Sequence, residues 1–137
     1  MVTRTGAVEG AVRTWLRAEG LALLLAAASC YAVSGRPWST FAIFFLAPDI
    51  SFVGYLAGTR VGALVYNAAH ALVLPLALLV FGAAGHADYL PAAAIWIAHI
   101  GFDRMLGYGL KYETAFGDTH LGGIGRSSGG GRQGDSE

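Results

Sequence analysis

A chain of 137 residues with 55% hydrophobic and only 13% charged residues lacks the surface of a soluble domain, for which about 25% charge is ordinary. Its mean hydropathy of +0.52 points to a polytopic membrane protein, for which no nucleic-acid partner is expected, while its formal net charge of zero by itself says nothing about acidic partners. A single cysteine, Cys30, excludes an intrachain disulfide and a cysteine-built metal site.

Residues 1–14 are polar and of mixed charge, which predicts a short arm or surface helix. The first apolar span covers 15–34 and is most apolar over 21–28. Ala27-Ala28-Ser29-Cys30 hints at a lipoprotein cleavage site, but further spans follow and a retained helix is the better reading. Ser34-Gly35-Arg36-Pro37 makes a tight connection, and Trp38 suits the water interface. The second span, 38–57, is interrupted by Pro48, which removes a backbone donor and predicts a kink just before Asp49. After a turn at Gly58-Thr59-Arg60, the third span, 61–81, carries Tyr66, Asn67, His70 and a second interrupting proline, Pro75. A loop over 82–88 leads into the fourth span, 89–110, which holds His99, Asp103 and Arg104, with Trp96 deep enough in the span to read as packing.

Each span has the ~20 residues needed to cross ~30 Å of hydrocarbon. Loops of a few residues make consecutive helices antiparallel neighbours. The expected fold is all-α, a compact bundle of four transmembrane helices. Its membrane domain, 15–122, includes a C-terminal stretch too polar for a fifth span and too rich in tyrosine, phenylalanine and glycine for a free tail. That stretch is expected to dock through Phe116 and Leu121. The Gly/Ser-rich residues 123–137 are expected to be a disordered tail.

With four spans, both termini and the turn at Arg60 share one side. That side collects Arg4, Arg13, Arg17, Arg60, Arg104, Lys111, Arg126 and Arg132, leaving only Arg36 on the other. The excess of basic residues predicts cytoplasmic termini.

Ionisable groups inside a span are costly and mark partners, water or a bound ion. At ~1.5 Å per residue, Asp49 lies ~12 Å deep, His70 ~14 Å, His99 ~16 Å and Asp103 ~10 Å, one layer in the cytoplasmic half. His99 and Asp103 are four apart on one helix face, as are Tyr66 and His70. Nitrogen and oxygen ligands from three helices suit zinc, manganese or iron, and His120 can complete the set if the chain after the fourth span folds back. The plainer alternatives are structural. Asp103 and Arg104 can pair with Arg17, Glu19 or Lys111, and Asp49 can cap a broken helix.

Leu16-Arg17-Ala18-Glu19-Gly20, Leu46-Ala47-Pro48-Asp49, Tyr66-Asn67-Ala68-Ala69-His70, His99-Ile100-Gly101-Phe102-Asp103-Arg104, Gly107-Tyr108-Gly109-Leu110-Lys111-Tyr112 and Thr119-His120-Leu121-Gly122 occur in one order. Together they resemble a bacterial family of small four-helix integral membrane proteins classed as a domain of unknown function. The resemblance implies residence in the bacterial inner membrane and no particular activity. A looser similarity, in residue types and depth, is to membrane-embedded metal-dependent hydrolases. On that expectation Asp49, His70, His99, Asp103 and His120 hold the metal, Tyr66, Asn67 or Arg104 stabilises developing negative charge, and the substrate is a lipid or amphiphile. The alternatives are a haem held by His70 and His99, a proton or ion pathway formed by a homo-oligomer, and an accessory membrane subunit.

Overall fold

A computed structural model describes residues 8–123. Five α-helices follow in order, α1 (Gly10–Val33), α2 (Trp38–Phe45), α3 (Thr59–His70), α4 (Val73–Ala83) and α5 (Leu90–Leu106). A 3-10 segment, Ala47–Ala57, continues α2, and a 3-10 turn, Ala87–Tyr89, introduces α5. Two prolines create these subdivisions. Pro48 lies in the first turn of the 3-10 segment, and Pro75 in the first turn of α4. A proline has no N–H for the carbonyl four residues before it and clashes with that carbonyl, so the second and third spans each divide into two pieces. Asp49 and His70 therefore sit at helix breaks. An 11-residue 3-10 run is long for that geometry.

The stretches Gly10–Val33, Trp38–Ala57 and Thr59–Ala83 are long and apolar enough to cross a membrane, and the fourth element is α5. Helix α5 is the axis of the bundle: α1, α2 and α4 pack on it, while α3 packs on the 3-10 segment. Nine of its residues are buried, from Pro91 to Gly101. Its contact with α1 is unusually close. A Cβ on Gly101 would stand 2.6 Å from the Leu24 nitrogen, and one on Gly20 would stand 2.6 Å from the Met105 nitrogen. Only paired glycines allow two helix backbones this near.

The outer faces are apolar. Leu56 and Val33 are each 89% exposed, Ile43 is 71% exposed, and α2 buries no residue at all. Such continuous apolar surface belongs in hydrocarbon, and the chain is a helical integral membrane protein. Cys30 also faces outward.

Two boundaries differ from expectation. Helix α1 begins at Gly10, so 10–14 are its first turns and not a separate arm. Helix α5 ends at Leu106 instead of 110, because Gly107 takes a left-handed φ of 94° and closes the helix with bonds back to Arg104 and Asp103. The tail expected over 123–137 lies, beyond residue 123, outside the described residues.

From Gly107 the chain folds back as a small antiparallel loop. Lys111 bridges Thr119, Tyr112 N–H donates to Asp118 (2.8 Å), and His120 N–H donates to Leu110 (3.0 Å). Val8 N–H reaches the His120 carbonyl at 2.9 Å, and Arg60 pairs with Glu113 at 2.9 Å. The start of α1, the 58–60 turn and the C-terminal loop thus share one end of the bundle. Arg36 and Asp88, 3.5 Å apart, mark the other.

Candidate metal centre

Four side chains converge between α5, the end of α3 and the 3-10 segment. His70 Nε2 and His99 Nε2 are 3.2 Å apart. Each lies 3.5 Å from Asp49 Oδ1 and 3.5 Å from Asp103 Oδ2. All four ligand atoms fall within 4.8 Å of one another. A tetrahedral ion with ligands at 2.0–2.1 Å needs edges of about 3.3–3.5 Å; the nitrogen–nitrogen and nitrogen–oxygen spacings are close to this, and the two aspartate oxygens lie within 4.8 Å of each other. The cluster can hold a metal ion.

Its parts are supplied by the breaks and by helix periodicity. His99 and Asp103 are one turn apart on α5. His70 is the last residue of α3, and its ring stacks on Tyr66 at 3.8 Å with an interplanar angle of 12°. His70 Nδ1 is 2.9 Å from the Tyr66 carbonyl. A carbonyl only accepts, so neutral His70 carries its proton on Nδ1 and turns the Nε2 lone pair into the cluster, an orienting contact common among metal-binding histidines. Phe45 packs edge-on against His99 at 5.2 Å. His70 and His99 are buried, and Asp49 is the most exposed of the four, at 37%. Neither aspartate pairs with a lysine or arginine among the described residues.

The remaining expected site residues have other partners. Asn67 donates through Nδ2 to the Lys111 carbonyl (2.8 Å) and accepts through Oδ1 from Lys111 N–H (2.7 Å). Both ends of its amide anchor the C-terminal loop. His120 also stays outside the four-residue group. Its Nδ1 accepts from Leu110 N–H at 2.8 Å, within the folded-back loop itself. Arg104 donates to the His70 carbonyl at 3.4 Å. Tyr66 touches the site as the face against which His70 stacks.

Trp96 matters more than its sequence reading as packing suggested. Its indole N–H donates to the Ala69 carbonyl at 2.6 Å, so the carbonyls freed by the break after His70 are met by Trp96 and Arg104. Trp96 stands three residues before His99, on the same helix face, a spacing visible in the sequence. Lys111, named above as a partner open to Asp103, is buried among aromatic rings instead. Its ammonium lies 3.7 Å from the Phe116 ring centroid, 4.8 Å from Tyr66 and 5.6 Å from Phe52, and it donates to the Phe116 carbonyl at 2.6 Å. Burial holds this amine below its ordinary value.

The fold and the cluster define a helical integral membrane protein with a two-histidine, two-aspartate site, its histidines buried, at one end of its central helix. The chain belongs to the family of the domain of unknown function DUF4260, whose model matches residues 13–124. No curated protein and no solved structure matches it, and the likeness to membrane-embedded metal-dependent hydrolases stands on residue types alone.

Proposed function

We propose that the chain binds one divalent metal ion, zinc in preference to manganese or iron, through Asp49, His70, His99 and Asp103, and uses it to hydrolyse a lipid or related amphiphile. The observation that carries the reading is the convergence of two imidazole nitrogens and two carboxylate oxygens within 4.8 Å of one another, with each nitrogen 3.5 Å from each oxygen. Two carboxylates and two neutral imidazoles balance a divalent charge, which a low-dielectric site requires. A bound ion supplies Lewis-acid polarisation and activation of water. Four protein ligands close a tetrahedron, whereas a catalytic site keeps one position open. Asp49, the most exposed ligand and the one carried by the 3-10 segment, is the residue suited to yield that position. Tyr66 and its carbonyl hold His70 in register, and Arg104, beside the His70 carbonyl, supplies positive charge where negative charge would develop.

Haem suits this geometry poorly. A flat macrocycle must pass between its two axial imidazoles, and here the carboxylates of Asp49 and Asp103 flank a 3.2 Å gap between the histidine nitrogens. In the reading favoured here the protein resides in the bacterial inner membrane with both termini in the cytoplasm, and its substrate arrives from the cytoplasmic leaflet.

Elemental analysis of the purified full chain tests the metal. About one zinc per chain is expected, falling at least fivefold in His99→Ala. A protein that retains no zinc, manganese or iron after incubation with each would overturn the assignment. Hydrolysis is tested separately, with the metal-loaded protein in phosphatidylethanolamine–phosphatidylglycerol vesicles. Product release should disappear in His99→Ala, and metal binding without release would leave a metal-binding membrane protein that is not a hydrolase of these lipids.

A further inference from the structure

Helices α2 and α4 both pack on α5, and between them runs a cavity of about 440 Å³. Phe44, Ala47, Leu78 and Ile95 form its walls, Arg36 and Asp88 stand at one extremity, and Trp96 lies at the other. None of the four metal-centre residues lines it, so it is a separate site. Phe44 is 57% exposed, which opens the cavity sideways at the bundle surface. In a bilayer that opening faces hydrocarbon.

We infer that the cavity takes the hydrocarbon chain of a single-chain anionic amphiphile whose head group sits at Arg36. Apolar walls at membrane depth exclude water and accept methylene groups, and since lipid tails outside are equally apolar, the head group decides which amphiphile is held. The charge at the mouth selects the head group. Arg36 is the only lysine or arginine at this end of the bundle among the described residues, and its 3.5 Å partner, Asp88, has a side chain 97% exposed. So loose an ion pair contributes little and yields to a phosphate, which a guanidinium binds with two parallel hydrogen bonds. Trp38, at the adjacent start of α2 and 55% exposed, marks the level at which head groups lie. The inference is independent of the metal reading.

The test uses the purified full chain in nonionic detergent and a hexadecyl phosphate bearing a mid-chain photoreactive diazirine. Saturable labelling is expected on peptides containing Phe44, Ala47 or Ile95, suppressed by excess hexadecyl phosphate. Ala92→Trp, which places an indole in the cavity, should reduce labelling at least fivefold, whereas Leu56→Trp on the outer face should leave it unchanged. Arg36→Gln should weaken labelling by the phosphate about tenfold and by the corresponding C16 alcohol little. Equal loss with both probes would overturn the head-group assignment. Labelling of the wild-type chain that does not saturate, or that maps to outward residues such as Leu56, would show only surrounding amphiphile and overturn the cavity assignment, whether or not the variants fold.

Discussion

Asp49 and Asp103 bring carboxylate oxygens within 4.8 Å of one another, with no lysine or arginine among the described residues paired to either. At an effective dielectric near 20, like charges at this distance repel by about 3–4 kcal/mol. A divalent cation converts that repulsion into attraction, so the sign of an aspartate's contribution to stability depends on the ion. Asp49→Asn should raise the melting temperature of the chelator-treated protein and lower that of the zinc-loaded one. In the wild type, zinc at a hundredfold excess over its Kd should add about 2.7 kcal/mol, read as a chelator-dependent shift in thermal unfolding. A chelator-insensitive wild type would sink this prediction. His120→Ala should leave metal content unchanged, since Nδ1 of that ring is held by Leu110. The same ring is an acid sensor. Burial, together with the positive charge of Arg104, holds the His120 imidazole below its ordinary value. In the unfolded loop it takes a proton near pH 6.5, and in the docked loop only at lower pH, so docking weakens as pH falls below about 6.5. Amide exchange at Leu110 should accelerate between pH 7 and pH 5 after correction for intrinsic rates, and His120→Asn should abolish the added acceleration.

At the level of elements, the C-terminal loop is held to α3 chiefly by one side chain. Asn67 makes two hydrogen bonds to the Lys111 backbone, worth together about 1–3 kcal/mol. Asn67→Leu should release the loop, with protease cleavage appearing between 107 and 122 while the membrane helices stay resistant. A loop equally protected in that variant would assign its docking to buried Leu121 and the Lys111 cage instead. The contact between α1 and α5 has no such adjustable part. A side chain at Gly101 meets the backbone of Leu24 and Gly20, so Gly101→Val must part the two helices. It is expected to lower the unfolding temperature by more than any substitution on the lipid-facing side, as comparative thermal scans in detergent would show.

For the whole molecule, the two ends differ in charge. The end formed by the start of α1, the 58–60 turn and the C-terminal loop carries Arg13, Arg17, Arg60 and Lys111, while the opposite loops carry Arg36. The positive-inside rule then predicts a cytoplasmic C-terminus. A reporter fused after Glu137 should be active only if its enzyme works in the cytoplasm. Activity of a periplasm-dependent reporter at the same position would invert the proposed topology and move the metal centre to the outer leaflet.

Membrane residence, the helical class, the chain breaks at Pro48 and Pro75 and the common depth of Asp49, His70, His99 and Asp103 were all legible in the sequence. They follow from local rules: transfer free energy per residue, the proline's missing donor, and a fixed rise per helical residue. Direction around the helix axis and the partner across an interface are not local. Thus the sequence assigns both Asn67 and Asp49 to one site, yet Asn67 faces the Lys111 backbone and Asp49 faces the histidines. His120, within reach of the site by chain length, is retained by a hydrogen bond inside its own loop. Trp96 looked like filling and instead satisfies a carbonyl on another helix. The place of α5 at the centre, the close passage of Gly20 and Gly101, and the cavity between α2 and α4 depend on which faces meet. Helices are set by the chain's neighbours in sequence, whereas the site is set by packing among residues up to 54 positions apart, from Asp49 to Asp103, and only the folded bundle decides that.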